Sequence, residues 1–196
     1  LKKNLKKNKF FLLYGNNEGL IRETIDNTLK PSLNSNIFSY EEGDVLKDID
    51  NFKENLINRS FFENEKLIIV NRVTDKFFKI AEEIILGNIE DLALILVAGA
   101  LDKKSKIRKF FEKEPVTICT PFYEDNVQTL SNLTQKFMRE KNINISQQLI
   151  NIIAERAMGD RINLKNELKK IENFSINKKN INIDDILKIT NLSENY

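Results

Sequence analysis

The sequence predicts an α/β fold in which a five-stranded parallel sheet carries helices on both faces and a small all-helical domain follows. Strand-like apolar runs alternate with helix-like amphipathic segments over about two thirds of the chain, and after residue 142 only helix-like segments remain. With 196 residues, 41% of them hydrophobic, the chain can form one full core and a second small domain. We therefore expect a sheet domain at 1–142 and a three-helix domain at 143–196.

The strands are predicted from short apolar runs that are mostly bounded by Gly, Asn, Asp or Pro. The continuous runs LIIV and LALILVA suit central strands buried on both faces, whereas the mixed run NIFSY suits a sheet edge. The five predicted strands are 9–14, 36–40, 66–71, 92–98 and 116–120.

The helices are predicted from apolar stripes and from residues that start or stop helices. The first should end before Pro31, the second should carry Phe52 and Leu56 on one stripe, and Ser146 and Asp160 are expected N-caps in the helical domain. The predicted helices are 19–29, 45–57, 75–86, 103–112, 125–141, 147–157, 161–173 and 184–189.

The segment FFLLYGNNEGLIR (10–22) has the shape of a phosphate-binding loop but lacks the residues that bind phosphate. In the motif GxxxxGK[ST], lysine reaches the β/γ-phosphates and a hydroxyl binds Mg²⁺. Those two positions hold Ile21 and Arg22, and Glu18 adds negative charge in the first helical turn. We expect no nucleotide, no other cofactor and no catalysis here, and a function that works through protein surfaces. The degenerate loop comprises Gly15, Glu18, Gly19, Ile21 and Arg22.

Composition excludes several other classes of protein. The net charge of +2 provides no global attraction to nucleic acid or membrane, so any DNA contact would be local. The absence of histidine excludes Ser-His-Asp and Cys-His catalysis, and the single Cys119 leaves no disulfide pair and no all-cysteine metal site. No apolar stretch approaches the roughly 18 residues of a membrane-spanning helix. We expect a cytoplasmic protein without a metal centre.

Four segments resemble, in order and spacing, the delta subunit of the bacterial DNA polymerase III clamp loader. They are LLYGNNEGLIRETI (12–25), NRSFFENEKLIIVN (58–71), ALILVAGALDKKSKIRKFFEK (93–113) and GDRINLKNELKKIENF (159–174). The resemblance implies a RecA-like, AAA+-type domain followed by a helical lid, and a C-terminal collar domain that is missing here. We therefore expect a two-domain fragment of a longer protein.

The resemblance also implies a function. In that family delta does not hydrolyse ATP; it binds the ring-shaped sliding clamp and opens it for loading onto DNA, as a subunit of the DNA-directed DNA polymerase (nucleotidyltransferase) assembly. A hydrophobic wedge makes the contact, and Ser60, Phe61 and Phe62 match it here, with phenylalanine instead of the commoner leucine at position 61. Arg59 and Glu63 would form a polar rim. Considered without the resemblance, the two phenylalanines are more simply explained as ordinary core residues.

The implied partners are the clamp (beta subunit), the gamma/tau and delta-prime subunits through the missing domain, and DNA within the full assembly. No membrane partner is expected, and the isolated fragment should be monomeric. A basic segment could add a local DNA or protein contact, although a solvated face on an amphipathic helix is the favoured interpretation. Its residues are Lys103, Lys104, Lys106, Arg108 and Lys109.

Three further sequence interpretations complete the predictions. Arg161 stands where active relatives keep a nucleotide-sensing arginine, but we expect Asp160 to cap the helix and Arg161 to be an ordinary first-turn residue. A delta-prime-like scaffold is an alternative function, against which the single cysteine counts because that subunit is expected to carry zinc-binding cysteines. A nucleotide-using enzyme with a degenerate loop is the second alternative, and Ile21 and Arg22 count against it.

Overall fold

A computed structural model of the chain describes residues 9–33, 36–57, 65–87, 89, 91–176 and 181–190. Its contacts divide the chain into two compact units, Leu1–Phe122 and Tyr123–Tyr196. This boundary lies earlier than the one expected after residue 142. The difference arises because the helix Val127–Glu140 packs on later helices and shares their apolar core.

The first unit is built on a five-stranded sheet in the order β2-β3-β4-β1-β5, with every neighbouring pair parallel. The predicted fold class is confirmed, and the mixed strand β2 lies at the edge, as its sequence indicated. Strands β3 and β4, which carry the apolar runs LIIV and LALILVA, lie inside the sheet, where neighbours cover both of their edges. The strands are β1 (Phe10–Gly15), β2 (Asn36–Glu41), β3 (Lys66–Asn71), β4 (Leu92–Ala98) and β5 (Thr117–Phe122).

Helices cover both faces of the sheet, and each face has its own apolar core. The first face carries α3 (Glu42–Lys47), α4 (Ile49–Ile57), α5 (Phe78–Leu86) with a preceding 3₁₀ turn (Asp75–Phe77), and α6 (Lys106–Lys113). The second face carries α1 (Glu18–Thr24), a π-helical turn (Ile25–Leu29) and α2 (Lys30–Leu33). The alternation along each strand explains this arrangement, since Leu12 faces one core and Leu13 the other.

Three predicted helix boundaries are wrong, and each has a local cause. The first helix continues through Pro31, which lies in the first turn of α2 after a π-helical turn has already altered the hydrogen-bond ladder. The second begins at Glu42 and breaks at Asp48, whose carboxylate accepts a hydrogen bond from the Asn51 N–H of α4. The helix predicted at 103–112 begins only at Lys106, because the Ser105 hydroxyl caps it.

Among the residues that the structure describes, the second unit contains four helices joined by short loops. Its core joins side chains from all four helices, including Leu130, Ile153, Leu164 and Ile186. The predicted N-caps Ser146 and Asp160 are both confirmed, each accepting hydrogen bonds from N–H groups of the helix that follows. The helices are α7 (Val127–Glu140), α8 (Gln147–Arg156), α9 (Arg161–Ser175) and α10 (Ile183–Ile189).

Candidate functional site

The degenerate phosphate loop folds back onto the end of β5. Gly15 has a φ of +132°, and a Cβ atom there would lie 2.1 Å from the Phe122 carbonyl oxygen. Only glycine fits this approach, because both the backbone conformation and the space exclude a side chain. The Gly15 N–H donates to the Gly99 carbonyl at 3.1 Å, which ties the loop to the end of β4 as well.

Three N–H groups of this loop and of the first turn of α1 are used within the fold. Asn17 N–H donates to the Phe122 carbonyl at 3.3 Å, and the buried Asn17 side chain accepts from Leu20 N–H at 3.0 Å. Ile21 N–H donates to the Asn17 carbonyl at 3.0 Å. A phosphate loop instead points such donors at its ligand. The backbone geometry is therefore a second reason, besides the missing lysine and hydroxyl, to expect no phosphate at this loop.

The side chains of the loop are either buried in the core or exposed to solvent. Ile21, at the lysine position, is buried and packs in the core of the α1 face with Ile25 and Leu29. Glu18 and Arg22 are exposed, and Gly19 is buried at the start of α1. The loop thus presents one carboxylate and one guanidinium to solvent where a nucleotide site needs cations and amides.

A cleft of about 420 Å³ opens beside this loop, at the carboxyl ends of β2, β3 and β4. Open parallel sheets place ligand sites at this edge. Both acidic and basic side chains line the cleft. The Lys30 Nζ lies 2.6 Å from the Asp26 carboxylate, and the Arg72 Nε lies 3.6 Å from Glu41 Oε2. Within the described ranges, no group of three or more His, Cys, Asp or Glu residues could hold a metal ion.

The ends of the two central strands bring no acid to this cleft. β4 ends in Ala98 before Gly99, as the sequence indicated. β3 ends in Asn71, whose amide nitrogen donates to the Ser39 hydroxyl at 3.2 Å and the Tyr40 carbonyl at 3.4 Å. Sequence reasoning did not single out Asn71, because nothing in the sequence shows which strand ends adjoin the loop.

The predicted clamp-binding residues lie outside the described residues: Arg59, Ser60, Phe61, Phe62 and Glu63. The structure describes the residues on both sides of them. Ile57 ends α4 and is 66% exposed, and Lys66 begins β3. The Lys66 Nζ donates to the Asn55 carbonyl at 3.0 Å, so the end of α4 and the start of β3 are joined directly.

The basic segment keeps four exposed lysines, Lys103, Lys104, Lys106 and Lys109. The fifth residue of the segment, Arg108, makes contacts within the first unit. Arg108 donates to Glu112 at 2.8 Å and to the Leu101 carbonyl at 3.0 Å, and its guanidinium lies 5.1 Å from the centre of the Tyr14 ring. Contact with DNA stays a prediction that concerns the four lysines only.

Asp75 is a structural residue that the sequence did not reveal. Its carboxylate accepts from the Ser105 hydroxyl at 2.7 Å and from Ile107 N–H at 3.1 Å, at the N-terminus of α6. Burial raises the pKa of this carboxyl, but the bonds from Ile107, Ser105 and Lys106 outweigh it, so the pKa lies below its ordinary value.

Arg161 is not the ordinary first-turn residue that we expected. Its Nε and Nη2 donate to the two carboxylate oxygens of Asp125 at 2.7 and 2.6 Å, and the two side chains are only 7% and 6% exposed. Gly159, with a φ of +79°, allows the close approach, because its Cβ would lie 3.1 Å from the Asp125 carbonyl oxygen. The guanidinium is therefore enclosed within the second unit.

The strand order and the loop after β1 define the class of fold as RecA-like, of the AAA+ type. Among solved structures, the chain is similar to the DNA clamp loader delta protein of Bacillus subtilis, with 18% identity and a TM-score of 0.57 over 97% of this chain and 61% of that one. It is also similar to the RuvB Holliday junction branch migration motor of Thermotoga maritima, with 18% identity, a TM-score of 0.67 and coverage of 96% and 64%.

A third similar structure is domain III of the replication initiation protein DnaA from Thermotoga maritima, at 11% identity and a TM-score of 0.59, covering 95% of this chain and 86% of that one. The chain spans less than two thirds of the length of the delta protein and of RuvB. No protein-family profile and no curated protein sequence matches it. At these identities the similarities establish an AAA+-type fold that a clamp-loader delta protein shares. Among the described helices, none is long and apolar enough to cross a membrane.

Proposed function

We propose that this chain is a non-catalytic clamp-loader subunit that binds a sliding clamp through residues 60–62 and helps to open the ring for loading onto primed DNA during replication. One observation carries the proposal: the chain retains the AAA+-type sheet and loop, while the N–H groups of Asn17, Leu20 and Ile21 are bonded within the fold. An AAA+-type domain without a phosphate site is suited to binding another protein.

The choice of the clamp as partner rests on similarity and on the chemistry of residues 58–64. The delta protein of Bacillus subtilis shares the fold over 97% of this chain. Phe61 and Phe62 stand between α4 and β3, and interface energy is concentrated in a few apolar or aromatic anchors. Arg59 and Glu63 are placed in the sequence to form a polar rim around such an anchor.

The proposal assigns ATP hydrolysis to other subunits of the assembly. In this chain Ile21 fills the lysine position and belongs to a buried core, so Mg²⁺-ATP has no lysine to bind here, and the N–H groups of Asn17, Leu20 and Ile21 are bonded within the fold. The gamma/tau and delta-prime subunits would be joined through a C-terminal collar domain. Contact with DNA would occur within that assembly.

The test is a calorimetric titration of this protein into the sliding clamp of the same organism, repeated with the Phe61→Ala, Phe62→Ala double variant. We expect binding at micromolar affinity or tighter for the native chain and none for the variant, with an unchanged circular dichroism spectrum. A variant that unfolds would show that these residues belong to the core. Absence of binding by the native chain would contradict the proposal.

Similarity to RuvB, at a TM-score of 0.67, favours one other function, that of a nucleotide-binding protein. The arrangement of the loop argues against it, because a phosphate would have to break the bond from Asn17 N–H to Phe122 and meet Glu18. We expect no binding of Mg²⁺-ATP at millimolar concentration in equilibrium dialysis. Saturable binding would favour this alternative.

A further inference from the structure

We infer that the outer edge of strand β2 (Asn36–Glu41) is a self-association surface, on which a second copy of this chain adds its own β2 in antiparallel orientation and extends the sheet. The partner is therefore this same protein. The inference goes beyond the proposed function and does not depend on it, since no step of it involves the sliding clamp. The contact is weak, so the protein at low concentration is the monomer that the resemblance implied.

The backbone of β2 uses only half of its hydrogen-bonding groups to pair with β3. The Asn36 N–H donates to the Glu65 carbonyl at 3.0 Å, so the even-numbered residues of the strand bond to β3. Because backbone groups alternate sides along a strand, those of Ile37, Ser39 and Glu41 point to the opposite edge. Within the described ranges β3 is the only strand that pairs with β2, so this edge presents N–H and C=O groups to which another strand can bond.

The six residues of β2 lack the usual protection of a sheet edge. Proteins commonly prevent edge pairing with lysine, with proline or with a covering segment. β2 contains neither lysine nor proline, its one charged residue is Glu41, and the large apolar side chains of Ile37 and Phe38 are exposed. The opposite edge strand, β5, contains Pro121, which has no N–H group to donate. The two edges therefore differ as expected if only β2 receives another strand.

The sequence of β2 is complementary to itself in one antiparallel register. When two copies are centred on Ser39, that residue lies opposite its counterpart and Ile37 lies opposite Glu41, so all three outward residues form hydrogen-bonded pairs. Centring on Phe38 or Tyr40 would form only two such pairs. The register centred on Ser39 also places Phe38 opposite Tyr40 of the second copy on the α4 face, an aromatic pair formed twice. No like charges lie opposite each other, which favours a second copy as the partner.

The size of this contact limits its strength. A strand of this length spans about 20 Å, and a stable interface buries about 800 Å² on each partner. One strand edge with its neighbouring side chains covers on the order of half that area, which is typical of weak and transient contacts. We therefore expect a dissociation constant on the order of 100 µM and a dimer fraction that rises with protein concentration.

The first experiment is sedimentation equilibrium of the chain at concentrations up to about 1 mM, with Ile37→Glu and Ile37→Lys as a matched pair of variants. Both replace the same exposed residue, so both should keep the native melting temperature within a few degrees. In the inferred register position 37 lies opposite Glu41, so the dimer contains two like-charge pairs in the glutamate variant and two opposite-charge pairs in the lysine variant. We expect the dissociation constant of the glutamate variant to exceed that of the lysine variant about tenfold or more.

The second experiment tests the register with a disulfide, in a Cys119→Ser background that removes the native thiol. Hydrogen-bonded partners in antiparallel strands have Cα atoms about 5.5 Å apart, a distance that a disulfide can span. Ser39→Cys should therefore form a covalent dimer on oxidation. Ile37→Cys is the control on the same face of the strand, and it should stay monomeric because its Cα would lie about 14 Å from that of its counterpart.

Three results would overturn the inference. The first is a native chain that stays monomeric over the whole concentration range, which would leave the edge to an extended segment of another protein. The second is equal self-association of the two charged variants, because Glu41 would then not lie opposite position 37. The third is cross-linking of Ile37→Cys as fast as Ser39→Cys, which would exclude the register centred on Ser39. None of these results depends on whether the chain binds the sliding clamp.

Discussion

Replacing Asp125 by asparagine would test the buried ion pair at the start of α9. The substitution keeps the size of the side chain but removes the negative charge that two hydrogen bonds hold against the enclosed Arg161 guanidinium. Removing one partner of a buried pair costs about 3–5 kcal/mol, because the remaining charge has lost both water and its counter-ion. The two bonds of 2.6 and 2.7 Å and exposures of 7% and 6% place this pair in that class.

The assay is urea unfolding followed by circular dichroism, with Asp26→Asn as the control. Asp26 pairs with Lys30 at 2.6 Å on an exposed helix, where such pairs contribute little. We expect a loss of about 3–5 kcal/mol for Asp125→Asn and no resolvable loss for Asp26→Asn. A double variant, Asp125→Asn with Arg161→Met, should recover much of the loss because no buried charge remains. If Asp125→Asn is as stable as the control, the reasoning is refuted.

The other predictions concern the first unit. Gly15→Ala should lower the free energy of unfolding by more than about 1 kcal/mol, because its Cβ would meet the Phe122 carbonyl oxygen at a positive φ, whereas Gly43→Ala, with nothing within 4 Å, should not. Asp75→Asn should destabilise the protein at neutral pH. Because the pKa of the Asp75 carboxyl is lower in the folded than in the unfolded chain, its contribution to stability is complete above the unfolded pKa and is lost as the pH falls towards the folded pKa. The difference in unfolding free energy between the native chain and the variant should therefore shrink below about pH 4. Urea titrations at several pH values would show an unchanging difference if the carboxylate is not involved. Burial, reinforced by Glu112 and opposed by Arg108, raises the pKa of the Cys119 thiol to about 11. Alkylation at pH 8 should therefore be about a hundredfold slower than for the unfolded chain, and equal rates would disprove the raised pKa.

The strands could be predicted closely because their signal is local. β3 and β4 are continuous apolar runs of strand length, and the predicted bounds of both are those observed. The edge position of β2 also followed from its own residues, since an edge strand tolerates the mixed pattern NIFSYE. The order of the strands and the face that each helix covers were not predicted, because they depend on contacts between distant residues.

The errors arose where a contact joins distant residues or where the backbone departs from regular geometry. Asp125 and Arg161 are separated by 36 positions, and nothing in either neighbourhood indicates that they pair. The π-helical turn before Pro31 has no strong residue signature, so proline was taken as a helix end. The amphipathic pattern of α7 shows that it has a buried face but not which core buries it, so the sequence alone could not assign this helix to one unit.

The candidate site could be predicted in part. The missing lysine and hydroxyl were visible in the sequence at Ile21 and Arg22, but the hydrogen bonds from Gly15 and Asn17 to neighbouring strand ends depend on the sheet order. The wedge residues were identified by resemblance alone. The contact of Phe38 with Lys66 could not be predicted from the sequence either, because the two residues are 28 positions apart.

The way the loop is bonded to β5 limits the evolutionary routes open to this chain. Substituting lysine and threonine for Ile21 and Arg22 would restore the motif letters but would leave Asn17 N–H bonded to Phe122 and the loop pressed against that carbonyl. A return to nucleotide binding would require the loop to detach and the core beneath Ile21 to repack, with each step unfavourable by itself. Changing the two side chains alone would therefore not create a phosphate site, because the backbone of the loop and the core beneath it would have to change as well.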